Sequence, residues 1–156
     1  MELLKTNVVR SALASGVVVS VLKRTVPPLD LNLMRLSRGW LNVGLQTVAL
    51  VTTRGAKTGK VREIVTLCMP VGDDIILVGS NWGQDRHPAW VHNLRAHPRV
   101  KVRYRGYVGE MEARELNGKE RSDMWERLVR YNPQYAVYQE QTDRRLPVLS
   151  LTRVGQ

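Results

Sequence analysis

Residues 52–62 read Thr52-Thr53-Arg54-Gly55-Ala56-Lys57-Thr58-Gly59-Lys60-Val61-Arg62, with four cationic side chains and two glycines between extended segments. Glycine lets a backbone turn sharply and come close to a ligand. Exposed amides beside Lys and Arg favour a bound anion, typically a phosphate. The chemistry indicated is the holding of a polyanion, either a small molecule or a nucleic acid. A plain solvated basic turn is the alternative, since Gly and Lys are ordinary turn residues. The spacing is not that of a Walker A loop, which needs four residues between its glycines and Ser or Thr after the lysine. Here three residues separate Gly55 from Gly59, and Val61 follows Lys60.

Other reactive residues are less organised. Lys57-Thr58-Gly59 and Ser20-Val21-Leu22-Lys23 imitate two β-lactamase elements, but no S-D-N element lies between them. His87, His92 and His97 are spaced by five. On one helix, successive members would point about 140° apart, whereas helical metal pairs use spacings of three or four, so no metal site is expected. Ser80, Asp85 and His87 lie close in sequence without a nucleophile elbow around Ser80. A helix opening at His87-Pro88 would offer free amides as a second anion-friendly point, near Gly79-Ser80-Asn81. Trp90 and Asn93 fall on that helix, as an aromatic core residue and a surface Asn or as ligand contacts.

At 156 residues the chain is long enough for one domain with a substantial core. A formal charge of +10 is informative about partners rather than fold: nucleic acid, anionic lipid or an acidic cofactor would each suit it. The single cysteine, Cys68, excludes an internal disulfide and argues against a zinc-finger type site. Residues 11–22 form an apolar run after Lys5 and Arg10, closed by Lys23, Arg24 and then Pro27-Pro28. No convincing cleavage site follows it, and it is shorter than the roughly 20 apolar residues that span a bilayer. It reads as a helix packed on the domain or on a second subunit, or as an interfacial helix resting on anionic lipid.

The elements that must position these residues follow from the pattern. Val48–Thr53, Val61–Cys68 and Ile75–Gly79 predict a three-stranded meander with short turns. His87–Ala96 predicts a helix with Pro88 in its first turn. Val100–Arg105 alternates basic and apolar residues, and Tyr107–Leu116 is its hairpin partner. Ser122–Tyr131 has apolar residues at helical spacing, a second helix starts at Pro133, and Pro147–Thr152 closes as a strand. About six mostly antiparallel strands with flanking helices and an N-terminal helix make an α+β domain, most simply a partly open barrel. Residues 1–40 are expected to be a helical extension and 41–156 the barrel domain.

The turn at 52–62, Val78-Gly79-Ser80, His87-Pro88-Ala89-Trp90-Val91-His92-Asn93-Leu94, Pro98-Arg99-Val100, Tyr131-Asn132-Pro133-Gln134-Tyr135 and Arg144-Arg145-Leu146-Pro147-Val148 occur in an order that resembles the deazaflavin-dependent nitroreductase and quinone reductase family. The resemblance covers roughly residues 45–154 and implies a split β-barrel, of the kind that also binds flavin mononucleotide, holding the reduced deazaflavin coenzyme F420. That coenzyme is a polyanion with an aromatic tricycle. By position, the resemblance assigns Ala56, Lys57, Thr58, Arg62, Glu63, Ile64, Val65, Thr66 and Leu67 to the phosphate and ring edge. It assigns Val78, Gly79, Ser80, Asn81, Ala89, Trp90, Val91, His92 and Asn93 to the other side, with Tyr135 closing over the ring.

The implied activity is hydride transfer to a quinone, enone or nitroaromatic, with Ser80, Tyr135 and Tyr138 as the catalytic candidates. The implied location is cytoplasmic, with peripheral contact on the inner face of an anionic membrane. Asn81 stands where relatives often carry Lys, with Arg86 the nearby substitute, and Asn132 stands where a tyrosine is common. Competing readings are a flavin mononucleotide-binding or non-catalytic cofactor- or lipid-carrying barrel, and a nucleic-acid binder using Lys101, Arg103 and Arg105.

Overall fold

The computed structural model describes residues 47–155. The expected N-terminal helix and the boundary at residue 40 lie outside them. Six strands, β1 (Val48–Arg54), β2 (Val61–Val71), β3 (Asp74–Val78), β4 (Arg99–Tyr104), β5 (Tyr107–Glu115) and β6 (Val148–Arg153), alternate with three helices. The helices are α1 (Ala89–Ala96), α2 (Gly118–Tyr131) and α3 (Gln134–Glu140), and a 3-10 turn spans Asn81–Gly83. Helix α1 begins at Ala89 rather than His87, because Pro88 has extended ψ (148°) and caps it. Helix α2 starts earlier than the apolar periodicity indicates. Its first turn is polar, held by a Lys119–Asp123 ion pair and by Ser122 Oγ donating to the Gly118 carbonyl, so it left no hydrophobic signal.

The strands form a closed barrel in the order β1-β2-β3-β6-β5-β4, with every pairing antiparallel. The barrel is closed rather than partly open, because β1 and β4 meet in a short ladder, Leu50↔Arg103, Val51↔Val102 and Thr52↔Lys101. That ladder pairs the last two free edges, which would otherwise present unmatched amides and carbonyls. The closing strand β6 lies between β3 and β5 and is hydrogen-bonded on both sides.

Side-chain alternation divides the apolar residues between two cores. Ile75 and Leu77 of β3 point into the barrel with Ala49, Val51, Leu149 and Leu151, while Ile76 and Val78 point outward beneath α2 and α3 with Leu128, Tyr135 and Val148. Strand β3 is therefore covered on both faces, which explains its unbroken Ile-Ile-Leu-Val run. Each fully buried Leu or Ile contributes about 1.5–3 kcal/mol. Cys68 lies in the barrel core, and burial pushes its thiol up to about 12, so it is no nucleophile at neutral pH.

Helix α1 closes on the barrel through Gly79. A Cβ built there would sit 2.7 Å from Val91 Cγ2 and 3.2 Å from the Pro147 ring. Gly79→Ala should therefore cost about 1–3 kcal/mol by overpacking, measured as the urea midpoint, and should push α1 off the barrel. An unchanged midpoint would show that this close approach is not needed.

Candidate functional site

The cationic turn is a built structure. Gly55 N–H donates to the Lys60 carbonyl at 2.8 Å, and Gly59 N–H to the Gly55 carbonyl at 2.9 Å. Lys60 N–H reaches Thr58 Oγ1 at 3.3 Å. Gly55 is required because a Cβ would fall 2.6 Å from Thr58 Oγ1. Helix α1 holds the turn through Asn93, whose Oδ1 accepts from Ala56 N–H at 3.0 Å and whose Nδ2 donates to Thr53 Oγ1 at 3.2 Å. Thr53 passes the link on to the Arg62 carbonyl at 3.3 Å. Asn93 is thus a buried staple rather than a surface residue, and the Ala56 amide is already engaged. Among the described residues, the amides of Lys57 and Thr58 have no acceptor. The side chains of Arg54, Lys57, Lys60 and Arg62 are exposed, and none forms an ion pair among the described residues.

Residues 63–67 are half-buried and alternate between faces, as any strand does. Ile64 packs on the barrel core, whereas Val65 and Leu67 pack outside with Val48 and Leu50. A ligand on one face meets alternate side chains only. On α1, Ala89 and His92 are exposed, Trp90 is half-buried against the core and Val91 is buried. Val78 is likewise a core residue.

The 3-10 turn after β3 brings a second group together. Asn81 and Trp82 both have positive φ (44° and 58°), which is uncommon without glycine. Asn81 Nδ2 donates to the Arg86 carbonyl at 2.9 Å and lies 3.4 Å from Gln84 Oε1, so its carboxamide braces the loop. Trp82 is 45 % exposed and stands edge-on to Tyr138, with ring centroids 6.2 Å apart. Gly83, at φ 75°, admits no side chain because Gln141 and the Tyr138 carbonyl fill the space. Ser80, half-buried, leads into this turn.

Tyr135 is 3 % exposed within the second core. It packs there with Met69, Ile76, Leu128 and Val148. Burial pushes its hydroxyl, and that of Tyr138, above the usual tyrosine range, so both stay protonated at neutral pH. Sequence reasoning missed Trp82 and Thr53. The first has a signal in its placement within Gly79-Ser80-Asn81-Trp82-Gly83, while the second is indistinguishable from any β-branched strand residue.

His87 and His92 approach each other, ring centroids 5.8 Å apart, because His87 precedes α1 instead of lying on it. Among the described residues no group of three potential metal ligands forms. On β4, Arg99 and Lys101 face Glu112 and Glu110 across the sheet, while Arg103 faces Val108. The opposition at Lys101 weakens the case for a continuous phosphate-backbone track along β4.

A model of the F420H(2)-dependent quinone reductase family matches residues 32–153. An F420H(2)-dependent quinone reductase of Mycobacterium tuberculosis is 32% identical over 107 residues, covering 67% of this chain and 72% of that protein. A solved F420-H2 dependent reductase (FDR-A) superposes with a TM-score of 0.62 at 38% identity, over 67% of this chain and 93% of its own. Another solved chain, described as a domain-swapped dimer, gives 0.63 at 37% identity, over 71% and 84%.

His87 yields a prediction. Its pKa is lowered by burial first and by Arg144 next. Between the folded and unfolded values the unfolded chain holds a proton that the folded chain does not, so stability rises with pH there. The melting temperature should fall as pH drops through the ordinary histidine range, near 6.5, and His87→Gln should flatten that fall. Glu115, held low by its hydrogen bonds to Arg95, loses its contribution only at more acidic pH. An identical profile in the variant would remove His87 as the cause.

Proposed function

The chain belongs to the F420H(2)-dependent quinone reductase family, and on that premise we propose that its cationic turn and the Ser80–Trp82 turn form the two ends of one reductase site. The protein is an F420H2-dependent reductase, and its acceptor class is quinone. The observation that carries the reading is the turn at 54–62: four exposed cations without ion-pair partners among the described residues, together with the two open amides of Lys57 and Thr58. That donor set fits the phosphodiester and carboxylates of the coenzyme.

When bound, the reduced deazaflavin supplies a hydride. The chain's residues bind, orient and stabilise charge. Lys57, Thr58 and Arg62 hold the anionic part, and the backbone of residues 63–67 borders the ring edge. On the other side stand Ala89, Trp90 and His92 of α1, with Asn93 keeping α1 and the turn in register. The hydroxyls of Ser80 and Tyr138 donate to the acceptor oxygen as it gains charge. Burial keeps Tyr138 protonated and so able to donate. Tyr135 supports α3 from the core below. Enones and nitroaromatics also end in an oxygen that gains charge, so the same donors serve them. Asn132, in place of a tyrosine, narrows or shifts that acceptor range.

Fluorescence titration with the deazaflavin, with flavin mononucleotide in parallel, tests this reading. Saturable binding of the deazaflavin alone is expected, and Lys57→Ala with Arg62→Ala should weaken it about tenfold or more, roughly 1.4 kcal/mol, in a folded protein. Tyr138→Phe should lower turnover about 10²-fold with little change in affinity. Undiminished binding in the double variant would displace the anion from the turn, and binding of flavin mononucleotide alone would replace the cofactor.

A quinone acceptor is lipid-soluble, and the apolar run at 11–22 is flanked by Lys5, Arg10, Lys23 and Arg24. Peripheral contact with an anionic membrane at its cytoplasmic face extends the reading. Among the described residues no helix is long and apolar enough to cross a membrane. Co-sedimentation with vesicles containing phosphatidylglycerol, reversed by salt and absent with neutral vesicles, is the expected outcome. Equal recovery without vesicles would end this extension.

A further inference from the structure

The segment between α3 and β6 contains a side chain absent from the site described so far. Arg144 Nε donates to the Gln84 carbonyl at 2.7 Å, Nη1 to the Gly79 carbonyl at 3.0 Å, and Nη2 to the Ser80 carbonyl at 2.7 Å. Nη1 also lies 2.8 Å from His87 Nδ1. A guanidinium can only donate, so Nδ1 accepts and His87 carries its proton on Nε2. Arg144 is itself fixed at both backbone ends. Its N–H reaches Thr142 Oγ1 at 3.3 Å, Thr142 Oγ1 donates to Asp85 Oδ1 at 2.9 Å, and the Arg144 carbonyl accepts from Gln139 Nε2 at 2.8 Å.

We propose that Arg144 is a positioning residue of the reductase site, pinning residues 79–87 so that the Ser80 hydroxyl and the exposed Trp82 ring are held ready for the acceptor. The inference deepens the reductase reading above and rests on it. Two observations set this apart from simple cementing of a loop. The grip falls on the Ser80 and Gln84 carbonyls, on either side of Asn81 and Trp82, the two consecutive non-glycine residues in left-handed backbone. Such residues persist only where their surroundings over-determine them, and they concentrate at functional sites. In addition, the guanidinium donates to three neutral carbonyls and an imidazole, while the Asp85 carboxylate acts on it only through space. A partly buried charge used this way is poor cement, since apolar packing stabilises at least as well. A planar fork nonetheless suits the gathering of several acceptors into one fixed geometry, which an ammonium cannot reproduce.

The turn it holds carries an exposed tryptophan set against Tyr138 and begins from Ser80, two residues after β3. A small displacement there would leave cofactor affinity, which depends on the cationic turn, largely intact. It would move the hydrogen-bond donor for the acceptor, and a misplacement of about 1 Å can cost about 10²-fold in rate.

The test uses the full chain with Arg144→Lys and Arg144→Ala. Deazaflavin titration, turnover with 2-methyl-1,4-naphthoquinone, and hydrogen exchange of the Gly79, Gly83 and Gln84 amides are measured on each. The expected result is near-parental affinity, a kcat lowered about 10²-fold, and faster exchange confined to those amides. Arg144→Lys should restore melting temperature without restoring kcat. Parental kcat in Arg144→Lys would overturn the proposal. So would parallel loss of affinity and kcat in Arg144→Lys with exchange raised across the strands, which marks a purely structural role. If Arg144→Ala does not fold, Arg144→Lys alone decides. Failure of the parent protein to bind deazaflavin or reduce the quinone would instead count against the reductase reading, and exchange at residues 79–84 would still report whether Arg144 pins the loop.

Discussion

The carboxamide of Asn93 is buried where α1 meets the end of the barrel, and a buried amide is tolerated when its donor and acceptor are both matched. Here they are matched by two different parts of the β1–β2 hairpin, the Thr53 hydroxyl and the Ala56 amide. The contact therefore converts a surface turn into a fixed one and sets the distance between the turn and the helix. Gly79 sets the opposite contact of the same helix, where Val91 and Pro147 close on a backbone without a side chain. The positions of the cationic turn and α1, and the point from which the Ser80–Trp82 turn departs, follow from these two contacts. Four further side-chain positions, at Ala89, Trp90, His92 and Ser80, come with them.

Charge is distributed to match. Along β4, Arg99 and Lys101 lie opposite glutamates of β5 while Arg103 lies opposite Val108, and Arg95, Arg114 and Lys119 are paired with carboxylates at 2.7 Å. Exposed pairs of this kind add little stability. The cations of the turn have no such partners among the described residues, so four positive charges gather uncompensated at the hairpin.

Local pattern reveals what depends on neighbours in sequence. The hairpin, the doubly covered Ile75–Val78 strand and the β4–β5 alternation were all readable because turn chemistry and side-chain period act over a few residues. The direction of Asn93 was not, since an Asn on a short helix gives no sign of whether a hydroxyl and an amide wait 37 and 40 residues away. Closure of the barrel by β1 and β4 was hidden for the same reason: an edge strand and a paired one can have the same composition. The burial of Tyr135 was equally hidden, because an aromatic beside a site motif and an aromatic in a core look alike until the helix face is known. The acidic and basic first turn of α2 gave no apolar period to read. Arg144 reaches further than Asn93, since its acceptors precede it by 57 to 65 residues.

Strand β6 is the last of the six described strands in sequence yet lies between β3 on one side and β5 on the other. Arg144 and Leu146 enter the fold with it. Pairings this distant in sequence carry a loop-closure cost that must be met before they stabilise anything. During synthesis, then, the first five strands can emerge with two unpaired edges and an unpinned Ser80 loop. The binding end matures only once β6 is in place, so loss of that strand forfeits the site and the barrel together.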